Sequence, residues 1–312
     1  MAQIAFSDPT WRTTFPFLVE PLTDEWLVGL LLRCDEINHW ESGTTLTYIC
    51  RKNEKTANSS WTFIAPPGFP FDELAASLAI PNEVLVATTY QAELARIYGV
   101  ADPHSLLLQA SFSFRLCPAC VAEERLLTRT LALPHMTICP QHRIELVTTC
   151  LCGATLRPFH KQTPPFRCFK CGLDWAKLPK IQADQTRSQI EAQLLSYYQF
   201  FWTYGTPDVL ESALQLVYDS VVEKGEIRAP LSDRLSWPES SGRSYRRTSS
   251  LGYIVHLLWQ LDLAPGDILV YAGPLPWRSM KWLTFQCSEP CCPYVAMIKK
   301  RRHILKEDLQ EK

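Results

Sequence analysis

The chain has 312 residues, of which 46% are hydrophobic and 20% charged, with a formal net charge of −1. This length allows two or three domains with buried cores, and the composition excludes a chain that is disordered throughout. No apolar run approaches the roughly 18–20 residues of a membrane-spanning helix, and the first residues lack the basic-then-apolar pattern of a secretory signal. We therefore expect a cytoplasmic protein.

The near-neutral total hides an uneven distribution of charge along the chain. Residues 1–102 carry 6 Lys/Arg against 13 Asp/Glu, whereas residues 103–180 carry 10 against 4. An acidic N-terminal part beside a basic middle part indicates separate modules with different partners. Two ordinary solvated surfaces would give the same pattern, so charge alone does not decide between these interpretations.

The N-terminal third has the pattern of helices. Thr23 or Asp24 can cap a helix whose apolar residues recur at helical spacing along one face, namely Trp26, Leu27, Leu30, Leu31, Cys34 and Ile37. The polar stretch at 41–60 is predicted to be a loop. Beyond it, the pattern predicts one short helix containing Leu74 and Leu78 and a second containing Val84 and Leu85.

The break between these two short helices lies at Ala79, Ile80 and Pro81, and Pro81 suits the first turn of the second helix. Two short helices around a tight break predict a helix-turn-helix. Its second helix, at about 82–90, contains no Lys or Arg and has Glu83 near its start. Helices that read DNA normally carry basic residues, so this helix is more typical of packing or of protein docking.

The middle of the chain is rich in cysteine, and its prolines, glycines and β-branched residues predict knuckles and short strands. Thiols stay reduced in the cytoplasm, so metal binding is a better expectation for these cysteines than disulfides. Eight ligand-type residues form four close pairs, namely Cys117 and Cys120, Cys139 and His142, Cys150 and Cys152, and Cys168 and Cys171.

Four close pairs divide naturally into two tetrahedral sites taken in chain order, although interleaved ligation would use the same eight residues. Thiolate and imidazole ligands suit Zn²⁺, and Gly153 and Gly172 permit tight turns after the later pairs. Each site would have four protein ligands, whereas a catalytic zinc keeps an open position. The pattern therefore predicts two structural zinc ions that replace a hydrophobic core.

Other ligand-type residues fit this pattern less well. His135 is interpreted as a packing residue or one that supports a ligand, and His104 and His160 have no partner pair. A cluster of three cysteines near the C terminus has no obvious fourth ligand, so packed or exposed thiols are expected there rather than a third metal site (Cys287, Cys291 and Cys292).

The last third of the chain again has the pattern of helices. Three helices are predicted from apolar residues at helical spacing: Ile190, Leu194, Leu195, Tyr198 and Phe201 on the first, Val209, Leu210, Ala213, Leu214 and Val217 on the second, and Leu251, Ile254, Val255, Leu258 and Leu261 on the third. A linker rich in Pro, Ser, Gly and Arg, at 237–250, separates the second from the third.

Two segments together resemble the TniQ family. The first is 17–37, with Pro21, Glu25 and a Leu-Leu-Leu run that ends in Arg33. The second is the Cys-Pro-Ala-Cys to Cys-Pro-Gln-His block at 117–142 with the Cys-Gly knuckles that follow it. The resemblance covers roughly residues 15–175, and the last third of the chain is less specific.

The resemblance implies a non-enzymatic accessory protein of Tn7-like or CRISPR-associated transposons. Such an adaptor would link a target-recognition complex, in the RNA-guided case a guide RNA with Cas proteins, to an AAA+ ATPase that regulates transposition. TnsD-like members instead recognise a DNA attachment site directly, and this is the alternative. The sequence has no phosphate-binding loop, nucleophile elbow or His-Glu-x-x-His motif that would indicate an enzyme. A homodimer remains open.

The sequence thus predicts a mainly α fold with small zinc-finger modules. The expected domains are 1–110, helical with the helix-turn-helix; 111–180, a double zinc finger; and 181–312, helical. Nucleic-acid contact is expected from two basic clusters, and such contact would depend strongly on salt (Arg243, Arg246 and Arg247; Lys299, Lys300, Arg301 and Arg302). Basic residues also surround the predicted zinc sites.

Overall fold

The structure is a computed structural model, and it describes residues 15–50, 68–99, 114–133, 135–224 and 251–270. This part of the chain is mainly helical, as predicted. It contains single β-bridges but no strand, so the short strands expected in the middle of the chain are wrong for the described residues. No helix within these ranges has the length and apolar character needed to cross a membrane.

Ten α-helices lie in the described ranges. In chain order they are α1 Leu27–Ile37, α2 Thr44–Cys50, α3 Phe71–Leu78, α4 Asn82–Val86, α5 Gln91–Tyr98, α6 Pro118–Glu124, α7 Gln185–Tyr204, α8 Pro207–Lys224, α9 Leu251–Gln260 and α10 Pro265–Val270.

The chain divides into two compact units. Unit 1 contains residues 1–92 and 112–188, and unit 2 contains residues 93–111 and 189–312. The cysteine-rich middle thus belongs to the same compact unit as the N-terminal helices. The three-domain division with boundaries at 110 and 180 stays a prediction.

Helix α1 begins at Leu27 with Trp26 as its N-cap, so the predicted cap at Thr23 or Asp24 is wrong. The backbone at 24–26 is instead paired with the segment at 127–129. The Trp26 N–H donates to the Leu127 carbonyl at 2.7 Å, and the Arg129 N–H donates to the Asp24 carbonyl at 2.8 Å. Because this pairing needs extended backbone, the helix cannot start earlier.

The surroundings of α1 also differ from the single apolar face that the spacing predicts. Eight of its eleven residues are buried, including Gly29 and Asp35, whereas Ile37 is 46% exposed. A Cβ added at Gly29 would lie 3.1 Å from the Leu127 Cβ, so glycine allows the close approach of this segment. Helix α1 is therefore a central core helix of unit 1 rather than an amphipathic surface helix.

Helix α2 occupies part of the stretch predicted to be a loop, so that prediction is wrong for residues 44–50. The buried carboxylate of Asp35, on α1, accepts hydrogen bonds from the N–H groups of Gly43 at 2.6 Å and Thr45 at 2.7 Å. These bonds satisfy free N–H groups at the start of the helix. Burial raises the pKa of Asp35 to about 6, although the hydrogen bonds from Thr45 and Gly43 oppose this shift.

Helices α3 and α4 lie where two short helices are predicted, with Leu74, Leu78 and Leu85 buried. Ala79 ends α3 in the left-handed conformation, with φ of 55°. Pro81 is the N-cap of α4 with extended backbone, not a residue of its first turn as predicted. Helix α4 ends at Val86, so it is shorter than the predicted second helix. The helix-turn-helix stays a prediction.

In unit 2, helices α7, α8 and α9 lie where the sequence predicts them, and α10 was missed. The apolar residues that predicted α9 are all buried. The guanidinium of Arg96 closes the C-terminal end of α7 by donating to the carbonyls of Trp202 at 2.6 Å and Gly205 at 2.8 Å. The Tyr197 hydroxyl donates to the Leu263 carbonyl at 2.8 Å.

Candidate metal centres

The structure gathers four ligand-type side chains into a first cluster, formed by Cys117, Cys120, Cys139 and His142, with all ligand atoms within 4.8 Å of one another. The Cys120 and Cys139 sulfurs are 3.7 Å apart. The His142 Nδ1 atom lies 3.3 Å from the Cys120 sulfur and 3.5 Å from each of the other two sulfurs. The cluster follows chain order rather than an interleaved pattern.

The two pairs of the first cluster use different local structures. Cys117 is the N-cap of α6, its sulfur accepts from the Cys120 N–H at 3.5 Å, and Pro118 opens the helix. The second pair forms a tight turn, in which the Arg143 N–H donates to the Cys139 carbonyl at 2.8 Å. Arg143 has a φ of 55°, so it occupies the left-handed position that glycine fills in the later knuckles.

The first cluster is part of the hydrophobic core of unit 1. Its three cysteines are buried, and they pack with Ala119, Leu131 and Ile144, with Leu146 against them. Sulfur is apolar enough to pack among aliphatic side chains. A metal bound here would therefore join α6 to the turn at 139–142, while Leu131 of the 3-10 turn at Arg129–Ala132 packs against the cysteines.

His142 has a second partner that fixes its ring. Its Nδ1 atom faces the three sulfurs, while its Nε2 atom lies 3.0 Å from both carboxylate oxygens of Glu123. Histidines that bind metals usually donate their other ring N–H to a carboxylate or carbonyl, which selects the tautomer with a free lone pair on the metal side. Glu123 lies on α6, the helix that Cys117 caps and that contains Cys120. The sequence prediction missed this residue, although its place three residues after Cys120 was a usable signal.

The second cluster contains Cys150, Cys152, Cys168 and Cys171, also within 4.8 Å. The Cys150 and Cys171 sulfurs are 3.6 Å apart, as are those of Cys152 and Cys168. Gly153 and Gly172 have φ of 81° and 73°, as their predicted role in tight turns requires. Each donates its N–H to the carbonyl of the first cysteine of its pair.

The distances within both clusters fit zinc. With Zn–S near 2.3 Å and Zn–N near 2.0–2.1 Å, a tetrahedral site has sulfur–sulfur edges of about 3.8 Å and sulfur–nitrogen edges of about 3.6 Å. The observed edges are 3.6–3.7 Å and 3.3–3.5 Å. The set of three thiols with an imidazole, and the set of four thiols, are both typical of closed structural zinc sites.

Hydrogen bonds within and around each cluster shift the pKa values of its thiols. Hydrogen bonds from the Cys117 and Cys120 thiols lower the pKa of Cys139. Burial would raise the pKa of Cys168, but hydrogen bonds from the N–H groups of Cys171 and Lys170 lower it to about 7. Cysteine binds metals as the thiolate, so a lowered pKa at one sulfur of each cluster favours metal binding.

An ion pair ties the second cluster to the rest of unit 1. Arg125, just after α6, donates two hydrogen bonds of 2.8 Å to the two carboxylate oxygens of Asp174. The Arg125 side chain also lies 3.4 Å from Glu36 of α1 and 5.5 Å from the centre of the Phe166 ring. The hydrogen bonds from Arg125 hold the pKa of Asp174 below its usual value.

A second ion pair explains residues on which the family resemblance depends. Glu25 is fully buried at its side chain, and its carboxylate accepts from Arg33 at 2.7 Å and from the Leu22 N–H at 3.0 Å. Arg33 also lies 3.4 Å from the Glu20 carbonyl. Glu25, which precedes α1, and Arg33, which lies within α1, therefore attach the segment at 20–25 to the helix.

The remaining ligand-type candidates do not join a cluster of three or more potential ligands among the described residues. His135 is buried. His160 stacks on Phe169, with ring centres 4.6 Å apart, and lies 2.8 Å from the Lys161 carbonyl. The other predicted candidates lie outside the described residues: His104, Cys287, Cys291, Cys292, Arg243, Arg246, Arg247, Lys299, Lys300, Arg301 and Arg302.

Comparison with known families gives a match over the N-terminal part of the chain. Residues 16–146 match the family model described as TniQ. No curated protein matches the chain. The matched range contains helices α1 to α6 and the whole first cluster, and it ends before Cys150, the first ligand of the second cluster.

Proposed function

We propose that this protein, which belongs to the TniQ family, is a non-enzymatic adaptor that links a target-recognition complex to an AAA+ ATPase regulator of transposition. Proteins of this family are non-catalytic transposition targeting factors, so the chain is a transposition-associated targeting protein. The finer role as an adaptor, and an RNA-guided recognition complex with its guide RNA and Cas proteins, are part of the proposal.

The observation that carries the proposal is that both clusters are closed. Each provides four protein ligands at tetrahedral spacing, so a zinc ion bound there has no position left for a substrate or an activated water. We assign one structural Zn²⁺ to each cluster. Zinc would supply cross-links between the segments that carry the ligands, and the side chains would supply rigid surfaces for partner proteins.

The two short helices α3 and α4 support a protein partner more than direct reading of DNA. Helix α4 has five residues, which makes it about 7–8 Å long, and it contains no Lys or Arg. A recognition helix needs several side chains that reach base edges or phosphates. Helix α4 instead presents Glu83 in its first turn and Val84, which is 40% exposed. We assign the helix-turn-helix and the acidic N-terminal surface to the side that faces the ATPase.

An affinity pull-down of the tagged protein, from cells that express its neighbouring genes, tests this role. We expect recovery of an AAA+ ATPase together with a guide RNA and its effector proteins. A matched variant, Glu83→Lys with Val84→Asp, should lose the ATPase and keep the effector proteins. Recovery of one duplex DNA sequence without guide RNA would instead establish a TnsD-like target selector and contradict the RNA-guided adaptor role.

A further inference from the structure

The segment at 146–180, which we call the second-cluster module, has an unusual charge. It contains six Lys/Arg and one Asp/Glu, the basic residues being Arg157, Lys161, Arg167, Lys170, Lys177 and Lys180. The acidic residue is Asp174, whose two carboxylate oxygens both accept hydrogen bonds from Arg125. Its negative charge is therefore already balanced by a residue from outside the module.

The metal site itself needs only part of this positive charge. Four thiolates around a divalent cation leave a net charge of about −2, which two nearby cations would offset. Six basic residues exceed that requirement. The surroundings of the first cluster are less basic, because residues 115–143 contain four Lys/Arg and two Asp/Glu, and the Glu123 carboxylate contacts the ligand histidine.

The six basic side chains are available at the surface. All six are exposed. No ion pair joins any of them to a carboxylate in the part of the chain that the structure describes. Arg167 and Lys177 line one shallow concavity of about 560 Å³ beside Cys152 and Cys171. Unpaired, exposed cations at this density attract a polyanion.

We propose that the second-cluster module contacts the phosphate backbone of duplex DNA without reading its sequence. Within the module the described backbone forms single β-bridges and one 3-10 turn, at Trp175–Lys177, so it has no helix or strand pair to enter a groove. Contact through Lys and Arg with phosphates needs neither element.

The aromatic residues of the module favour a duplex over a single strand. Binding of single strands normally uses exposed rings on which bases stack. Trp175 and Phe166 are buried. The Phe169 ring has His160 stacked on it and the Arg157 guanidinium 5.5 Å from its centre. The rings of the module are thus already engaged, whereas none of its six basic side chains forms an ion pair in the described part of the chain.

Contact with DNA would add a third partner to the proposed adaptor, and its relevance to transposition rests on that proposed function. It would place DNA beside the second cluster. The binding itself is measured on the purified protein alone, so the two proposals can fail separately.

The experiment measures fluorescence anisotropy of a labelled 30-base-pair DNA duplex of arbitrary sequence against the full chain, over a series of salt concentrations. The test variant carries Lys161→Gln, Arg167→Gln and Lys177→Gln. We expect the slope of log affinity against log salt to fall by about 3 in magnitude, and the affinity at low salt to fall by about tenfold or more. The matched control carries Lys161→Arg, Arg167→Lys and Lys177→Arg, and should bind as the natural sequence does.

Zinc content is measured on every variant. If the triple glutamine variant loses metal, the pair Lys161→Gln and Lys177→Gln, both at least six residues from a ligand, replaces it and should lower the slope by about 2. Unchanged affinity and slope in the glutamine variants, or binding confined to an RNA duplex or to an acidic peptide, would overturn the inference. A glutamine variant that no longer binds DNA but still recovers the ATPase in the pull-down would support both proposals. Failure of the natural sequence to recover the ATPase would contradict only the adaptor role.

Discussion

The two candidate metal clusters differ in where they lie and in what surrounds them. The first has three buried cysteines packed among aliphatic side chains, and its histidine is held by Glu123. The second has four cysteines, of which Cys171 is exposed and Cys152 half-buried. The first therefore belongs to the core that forms unit 1, whereas the second cross-links a surface module whose exposed charged residues are all basic. Two clusters with similar ligands thus have different roles. The first stabilises the core of unit 1, and the second holds a basic surface in place.

We expect the largest loss of stability from a substitution that removes a ligand of the first cluster. Cys120→Ser should release one zinc ion and lower the free energy of unfolding of unit 1 by about 5 kcal/mol or more, because the lost metal joins segments of the hydrophobic core. Thermal unfolding followed by circular dichroism, with zinc counted by mass spectrometry, measures both effects.

Cys168→Ser is the matched variant in the second cluster. It should also release one zinc ion, while the helices of unit 1 keep their circular dichroism and most of their stability. If the two variants melted alike, or if either kept two zinc ions, the proposed difference between the clusters would be wrong.

A smaller effect is expected where the second cluster joins the rest of unit 1. Arg125→Ala should lower the free energy of unfolding by about 2–3 kcal/mol, because the partly buried Asp174 loses the two hydrogen bonds that Arg125 donates. A double-mutant cycle with Asp174→Ala measures the coupling between the two side chains. Arg125→Lys keeps the charge but not the paired hydrogen bonds, so it should recover only part of the loss. Additive single effects would show that the ion pair contributes nothing to this attachment.

The smallest effect is expected from a substitution beside the ligand histidine, which should weaken zinc binding at the first cluster only. Glu123→Gln should weaken zinc binding by the first cluster by about 10–100-fold, equivalent to about 1.4–2.7 kcal/mol, because the carboxylate holds the His142 ring. The second cluster should keep its affinity. Competition with a coloured chelator measures both sites, and Glu124→Gln, one residue further along the same helix, is the control. Equal weakening by the two substitutions would mean that Glu123 acts only through general charge.

The ligands could be predicted from sequence because their signal is local. Pairs such as Cys168 and Cys171 lie within one turn, so their spacing alone indicates a knuckle. The helices of unit 2 were also predictable, since the apolar residues of α9 recur at the helical period and are all buried.

What the sequence did not predict depends on partners that are distant along the chain. Helix α2 looks like a polar loop until Asp35, on another helix, satisfies its N-terminal N–H groups. The start of α1 is set by hydrogen bonds to residues near 128. Arg125 and Asp174 are separated by 49 residues, and neither has a local pattern that indicates a pair. Tertiary contacts of this kind override local propensity.

The most direct test of the two-cluster account is native mass spectrometry of the intact purified protein, during incubation with a zinc chelator. We expect two zinc ions per chain at the start. The ion of the exposed second cluster should be released first, so that a one-zinc species accumulates, and in Cys168→Ser only the slow release should remain. A chain that carries fewer than two zinc ions, or that releases both at one rate with no one-zinc species, would contradict the account.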